Sequence, residues 1–275
     1  MAHPTTNMAL FCDFENVALG VRDAKYAKFD INRVLERLLL KGSIVVKKAY
    51  CDWDRYKEFK ASMHEASFEM IEIPHLRISG KNSADIRLVV DALDLCYTKA
   101  HVDTFVIISG DSDFSPLVSK LRENNKAVIG LGVKSSTSDL LIANCDEFIF
   151  YDDLVRQDET KQRTRRKQTA RKPVTESQKD APKGDEERKL QAFDLVLDTI
   201  EALAEERDQD EKIWGSMVKQ ALKRRNPGFN ESYYGFRTFS ELLEEAQKRH
   251  LLTLEADQKS GGYIVRGHAR SDDQP

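Results

Sequence analysis

The sequence predicts an α/β fold: a parallel sheet with flanking helices over residues 1–155, then a basic linker and a small winged helical domain. Three observations carry this expectation. Short β-branched runs alternate with helix-period stripes as far as residue 154, the pattern of a parallel sheet with crossover helices. Between 156 and 189 that pattern stops, and Val174 is the one large apolar residue left. Beyond it, three amphipathic stripes precede two strand-like runs about a Gly-Gly turn.

Taken in order, strand-like runs occupy 8–12, 44–50, 68–73, 105–109, 127–131 and 147–150. Ile31, Val34, Leu35, Leu38 and Leu39 recur at helical spacing between the first two. Leu88, Val89, Ala92, Leu93 and Cys96 do the same after Ser83, which reads as an N-cap. Ser115-Pro116 reads as the capped start of the next helix, where a missing proline N–H costs nothing. In the last third, Leu190, Phe193, Val196, Leu197, Ile200 and Leu203 mark one helix, and Trp214, Met217, Val218, Ala221 and Leu222 a second. The second should end before Asn226-Pro227-Gly228. Phe239, Leu242, Leu243 and Ala246 mark a third, and 251–255 with 263–266 a hairpin. Three helices and a hairpin suggest a winged helix-turn-helix, giving domains at 1–155 and 190–275 joined by 156–189.

Composition narrows the function. Of 275 residues, 40% are hydrophobic and 32% charged, polar for a globular chain but able to build cores. No apolar run approaches the roughly 20 residues that span a bilayer, and the N-terminus lacks the basic start and apolar stretch of a secretory signal. Four dispersed cysteines without C-x-x-C, and six unclustered histidines, argue against a disulfide framework or zinc knuckle. A reduced, cytoplasmic setting is expected.

The net charge of −3 is unevenly spread. Residues 156–189 carry twelve basic and seven acidic groups, whereas both flanking domains are acidic. Within them, KQRTRRKQTARK at 161–172 has no acid. With nothing to bury, this segment is expected to be a disordered linker. It reads either as a solubilising tether or as a phosphate-gripping arm through Arg163, Arg165, Arg166 and Lys167.

The carboxylates carry the chemistry. Asp13 follows the first strand (ALFCDFEN), Asp111 and Asp113 follow the fourth (FVIISGDSDF), and Asp85 opens a helix (SGKNSADIRLVVDAL). Ligands of open α/β sheets bind beyond the carboxyl ends of the strands, so the four acids could converge there. Converging like charges repel unless a cation lies between them. Oxygen ligands without Cys or His suit Mg²⁺ or Mn²⁺, which can orient a phosphodiester and acidify an attacking water. Rival readings are weaker. Any single Asp after a strand can merely cap a helix. An EF-hand loop from Asp111 fails at Pro116 and Arg122, an aspartyl phosphatase fails at Glu15 and Val17, and no glycine-rich phosphate loop occurs. Asp91, about 240° around the helix from Asp85, reads as a solvent or salt-bridge residue.

DFEN at 13–16, K-x-x-A-D at 81–85 and SGDSDFSPLV at 109–118 together resemble the NYN domain, a PIN-like nuclease family, over about residues 8–154. SSTSDLLIANCDEFIFYDDL at 135–154 is similar to that family's closing helix and strand. The resemblance implies a PIN-like Rossmannoid sheet and a metal-dependent ribonuclease. It puts metal-binding or catalytic roles on Asp13, Asp85, Asp111 and Asp113, a hydrogen-bonding, orienting role on Asn16, and an RNA contact on Lys81. None of the four acidic positions departs from the motif.

W-x-x-x-V-x-x-A-L-x-R-R-x-P-x-F at 214–229 and YYGFRTFSELLEEA at 233–246 resemble the LOTUS (OST-HTH) domain over about 188–267. This implies RNA binding and, in some members, docking of an RNA helicase. Lys212, Ser216, Lys219 and Lys223 fall within about 60° of one another on the second helix, opposite its apolar stripe. Arg224, Arg225 and Arg237 add charge, and Tyr234 could stack a base; a solvated face and a core aromatic are the plainer readings. The combined expectation is an endoribonuclease using Mg²⁺ or Mn²⁺ on RNA recruited by the C-terminal domain. The alternatives are a catalytically weak RNA-binding regulator or scaffold, and a nuclease acting on DNA.

Overall fold

The computed structural model describes residues 6–73, 83–156, 183–205, 212–257 and 262–268. The chain divides into two compact units, 1–161 and 162–275. Of the linker expected to be disordered over 156–189, residues 157–182, with the basic run 161–172, lie outside the described residues, whereas 156 and 183–189 are helical because they continue the helices on either side. Among the described residues no helix is long and apolar enough to cross a membrane.

The first unit is built on six parallel strands: β1 (Asn7–Asp13), β2 (Ser43–Cys51), β3 (Glu69–Glu72), β4 (Thr104–Ile108), β5 (Ala127–Gly132) and β6 (Glu147–Phe150). Their spatial order is β3-β2-β1-β4-β5-β6. The chain therefore winds one way from β1 to β3, returns, and winds the other way from β4 to β6. The reversal falls between β1 and β4, which pair from Met8↔Thr104 to Cys12↔Ile108. Such a switch point opens a crevice at the strands' carboxyl ends, because the connections on either side leave in opposite directions.

Strand periodicity sorts the core into two layers. Met8, Leu10 and Cys12 face α1 (Phe14–Asp23), α2 (Ile31–Leu39), α3 (Lys57–Glu65) and the helical residues 151–156 (α7). Ala9 and Phe11 face α4 (Ser83–Thr98), α5 (Ser115–Glu123) and α6 (Asp139–Asn144). Phe14, wholly buried, touches Phe29, Trp53, Tyr56 and Phe59 with centroids 5.0–5.8 Å apart. This aromatic cluster anchors the start of α1, and with it the residue just before, Asp13.

Two helix starts differ from expectation. Ser83 is the first residue of α4 rather than its cap. Ser115 is likewise inside α5, behind Phe114, which caps it without a side-chain bond. The reason is the 3-10 turn Ser112–Phe114, which delivers the chain already in helical conformation (Phe114 φ −83°, ψ −7°), whereas a capping side chain needs extended backbone. Asp91 is a salt-bridge residue, accepting from Tyr50 (2.9 Å) and pairing with Arg87 (3.0 Å).

The second unit comprises α8 (Lys183–Glu205), β7 (Ile213–Trp214), α9 (Gly215–Arg225), a 3-10 turn (Glu231–Tyr234), α10 (Phe239–Lys248), β8 (Leu252–Ala256) and β9 (Tyr263–His268). The hairpin is extended by β7, giving the antiparallel order β7-β9-β8. Gly235 ends the 3-10 turn at φ 88°, a left-handed conformation that a Cβ would penalise. The core joins Ala192, Phe193, Val196 and Ile200 of α8 to Val218, Leu222, Leu242 and Leu243. Leu190, expected in that stripe, is 49% exposed, because it lies about 100° around α8 from the buried face.

Candidate active site

Asp13 ends β1 and begins α1 with no loop between. Its carboxylate is 7% exposed and accepts from the Ser109 hydroxyl (2.9 Å) and the Asn16 backbone N–H (3.4 Å). Ser109, just beyond β4, in turn accepts from the Asp111 backbone N–H (3.2 Å). Asn16 Oδ1 accepts from the Gly110 N–H (2.8 Å). Asp111 caps the 3-10 turn by accepting from the Asp113 N–H (3.0 Å). Two segments almost a hundred residues apart are thus knitted across the switch point. The capping reading holds for Asp13 and Asp111, each of which accepts a following backbone N–H.

The acids feel one another. Burial, then the charge of Asp85 and more weakly of Asp111, push Asp13 up to about 7 against the opposing pull of its two hydrogen bonds. Asp85, half-buried in the first turn of α4, is raised by burial, Asp111, Asp113 and Glu15. Among the described residues none of the four aspartates is ion-paired. All donors are carboxylate oxygens, and their charge is uncompensated, so a hard divalent cation suits the set chemically. In their present positions, however, no three such side chains among the described residues are close enough to hold an ion together.

Beside Asp85 and Asp113 lies an open groove of about 720 Å³ with apolar walls, including Val90 and Leu140. Ser115 lines it, and its buried hydroxyl finds no partner among the described residues. Sequence reasoning missed Ser109, whose strand-end position beside a glycine was the available signal. It weighed Glu15 only as part of a phosphatase motif.

The expected RNA contacts fare unevenly. Lys81, Arg163, Arg165, Arg166 and Lys167 lie outside the described residues. Lys219 is held by Glu231 at 2.8 Å. Burial alone would raise Glu231, but that bond and the charges of Lys219 and Lys223 hold it below the usual range. Lys212 precedes β7 rather than riding on α9, and Arg225 donates to the Asp198 carbonyl (3.0 Å). Arg224 and Arg237 are exposed. Tyr234 stacks on Phe229 at 5.2 Å, so one ring face is already used.

With this geometry in view, the chain is seen to belong to the NYN domain family, whose profile matches residues 7–152. Residues 194–262 match the OST-HTH/LOTUS domain. The first of these domains is a PIN-like α/β domain. The chain is similar to the meiosis regulator and mRNA stability factor 1 of Xenopus tropicalis, at 27% identity over 148 residues, 54% of this chain and 9% of that protein. It is also 27% identical over 156 residues to an uncharacterized protein of Methanocaldococcus jannaschii, covering 57% of this chain and 61% of the relative. It thus spans less than two thirds of either. A Vibrio parahaemolyticus protein of unknown function has a similar crystal structure, with TM-score 0.50 and 28% identity over 56% of this chain and 98% of its own.

Proposed function

We propose that the chain is a metal-dependent endoribonuclease whose acidic centre hydrolyses RNA phosphodiesters, with the C-terminal domain recruiting the RNA. The observation that carries this reading is that Asp13, Asp85, Asp111 and Asp113 border the switch point, feel one another's charge and have no ion-pair partner among the described residues. These four would hold Mg²⁺ or Mn²⁺. When bound, such an ion offsets their charge, orients a phosphodiester and lowers the pKa of water. Ser109 and the Asn16 N–H fix Asp13 at its two oxygens, and Asn16 Oδ1 fixes the backbone that carries Asp111. The centre is therefore pre-organised at its buried end.

A second reading is an RNA-binding regulator that turns over little, alone or with a partner such as an RNA helicase. It is favoured by the separation of the carboxylates and by the Xenopus relative's name, a regulator and mRNA stability factor. Incubation with single-stranded RNA and DNA in Mg²⁺ and Mn²⁺ separates the readings. Cleavage of RNA by the native chain but not by Asp111→Asn supports the nuclease; binding without cleavage supports the regulator, and equal or faster cleavage of DNA points to a DNA nuclease.

A further inference from the structure

A second cavity, of about 470 Å³, lies between α1, the 24–29 loop and the start of α3, its floor formed by the core residues Val21, Phe29 and Phe59. Its lining is unlike that of the acidic centre. Arg22, Lys28 and Arg55 face one carboxylate, Glu58, and Tyr56 and Phe59 supply aromatic surface. We propose that this cavity is a subsite for one phosphate and the adjoining base of single-stranded RNA, beside the linkage presented to the acidic centre. The proposal rests on the reading of that centre as a ribonuclease.

Continuity is the first argument. Glu15, Leu19 and Arg22 recur at 4 and 3 residues, so they share one face of α1, and about 10 Å of helix separates Glu15 from Arg22. Glu15 lies two residues from Asp13 and pairs with Arg55 at 2.9 Å. Its charge also reaches Asp85. The Arg55–Glu15 pair therefore links the cavity, which Arg55 lines, to a carboxylate whose charge is felt at the acidic centre.

Chemistry is the second. Four clustered aspartates repel a polyanion, so the strand needs positive groups close by to be held there. Among the described residues Arg22 makes only long, exposed contacts with its neighbour Asp23 (3.4 Å), leaving its guanidinium available to a phosphate. Lys28 is positioned over the Phe59 ring (4.4 Å) and donates to the Glu58 carbonyl (3.0 Å), which holds its ammonium at the cavity. Tyr56 is braced edge-on against Phe14 (5.6 Å) and tilted against Phe59 (6.5 Å). Its hydroxyl makes no hydrogen bond among the described residues, although burial and Glu15 raise it to about 12 against the pull of Arg55 and Arg22. A rigid, half-buried tyrosine beside cations is suited to stacking an unpaired base while its phosphate is gripped.

The test uses the full chain carrying Asp111→Asn, so that RNA is not consumed, and a short fluorescent oligouridylate in a salt titration. Neutralising Arg22 and Lys28 together (Arg22→Gln with Lys28→Gln) should weaken binding about ten-fold. It should also flatten the slope of log affinity against log salt by about 0.7 to 1.4. Tyr56→Ala should weaken binding about five-fold or more, and Tyr56→Phe should restore it. A 5-iodouridine oligonucleotide should crosslink to Tyr56. Unchanged affinity and slope in these variants, with circular dichroism showing the native fold, overturns the subsite. Cleavage by the chain with native Asp111 is followed alongside. Cleavage with KM unmoved by the cavity variants removes the subsite and leaves the nuclease; binding losses without any cleavage keep the subsite and remove the nuclease.

Discussion

Asn16 Oδ1 accepts the backbone N–H of Gly110 at 2.8 Å, joining the first turn of α1 to the loop that carries Asp111. Gly110 is buried, so water is a poor substitute partner for this amide. Asn16→Ala should leave it unsatisfied and cost about 1–3 kcal/mol in urea denaturation. Amide exchange at Gly110 should accelerate. A variant as stable as the parent, with Gly110 still protected, would show that the bond holds nothing.

Asp13 makes stability depend on pH. Its carboxyl is raised to about 7 in the fold and returns to about 3.8 on unfolding. Between those values the folded state binds more protons, so stability should fall as pH rises from about 4 to about 7 and then level off. Asp13→Asn should remove this fall. The variant should therefore exceed the parent at pH 8 in EDTA by about 2–4 kcal/mol, yet differ little near pH 4. Added Mg²⁺ should stabilise the parent at pH 8 more than the variant. Parallel stability curves from pH 4 to 8 would refute the shift.

Metal dependence is the direct test of the centre. EDTA should abolish cleavage and excess Mn²⁺ should restore it. Asp111→Asn, which keeps an oxygen acceptor for the Asp113 N–H, should cut kcat on the order of a hundred-fold while leaving the melting temperature near that of the parent. Full cleavage by a well-folded variant sinks the assignment.

Division of labour between the units is measurable. The two cores of the first unit share no residue with that of the second. Removing 156–275 should therefore leave a folded unit whose KM rises more than its kcat falls. An unchanged KM would mean that the C-terminal half recruits something other than substrate.

The basic run has its own signature. If 161–172 grips phosphates, neutralising Arg163, Arg165, Arg166 and Lys167 should flatten the salt slope of RNA binding by roughly two to three units, at about 0.7 per phosphate on single strands. Base preference should survive, since backbone contacts carry no sequence information. An unaltered slope identifies a tether.

The strand-end carboxylates are legible in the sequence because each follows or flanks an apolar run whose end the eye can find. Ser109 and the Asn16–Gly110 bond are not, since they become partners only when β1 and β4 are laid side by side. The same holds for Lys219: a helical wheel shows which face it occupies, but not that Glu231, twelve residues on, is waiting there. The strand β7 is two residues long and pairs at Ile213↔Val265 and Trp214↔Ile264, too short for any period to register. Local pattern fixes elements and strand ends; pairings across the chain depend on topology.

Asp13 accepts the N–H of Asn16 as the cap of α1, quite apart from any reaction. Together with its part in the proposed centre, this capping role would constrain how descendants of the chain can lose the proposed activity. A lineage that abandons cleavage is free to drop Asp85, which makes no capping bond among the described residues. At position 13 it still needs a short oxygen-bearing side chain to start the helix, because Ala there costs about 1 kcal/mol. Relatives that have stopped cutting should therefore carry Asn, Ser or Thr at position 13, so that the identity of this one residue dates the loss of chemistry separately from the loss of fold.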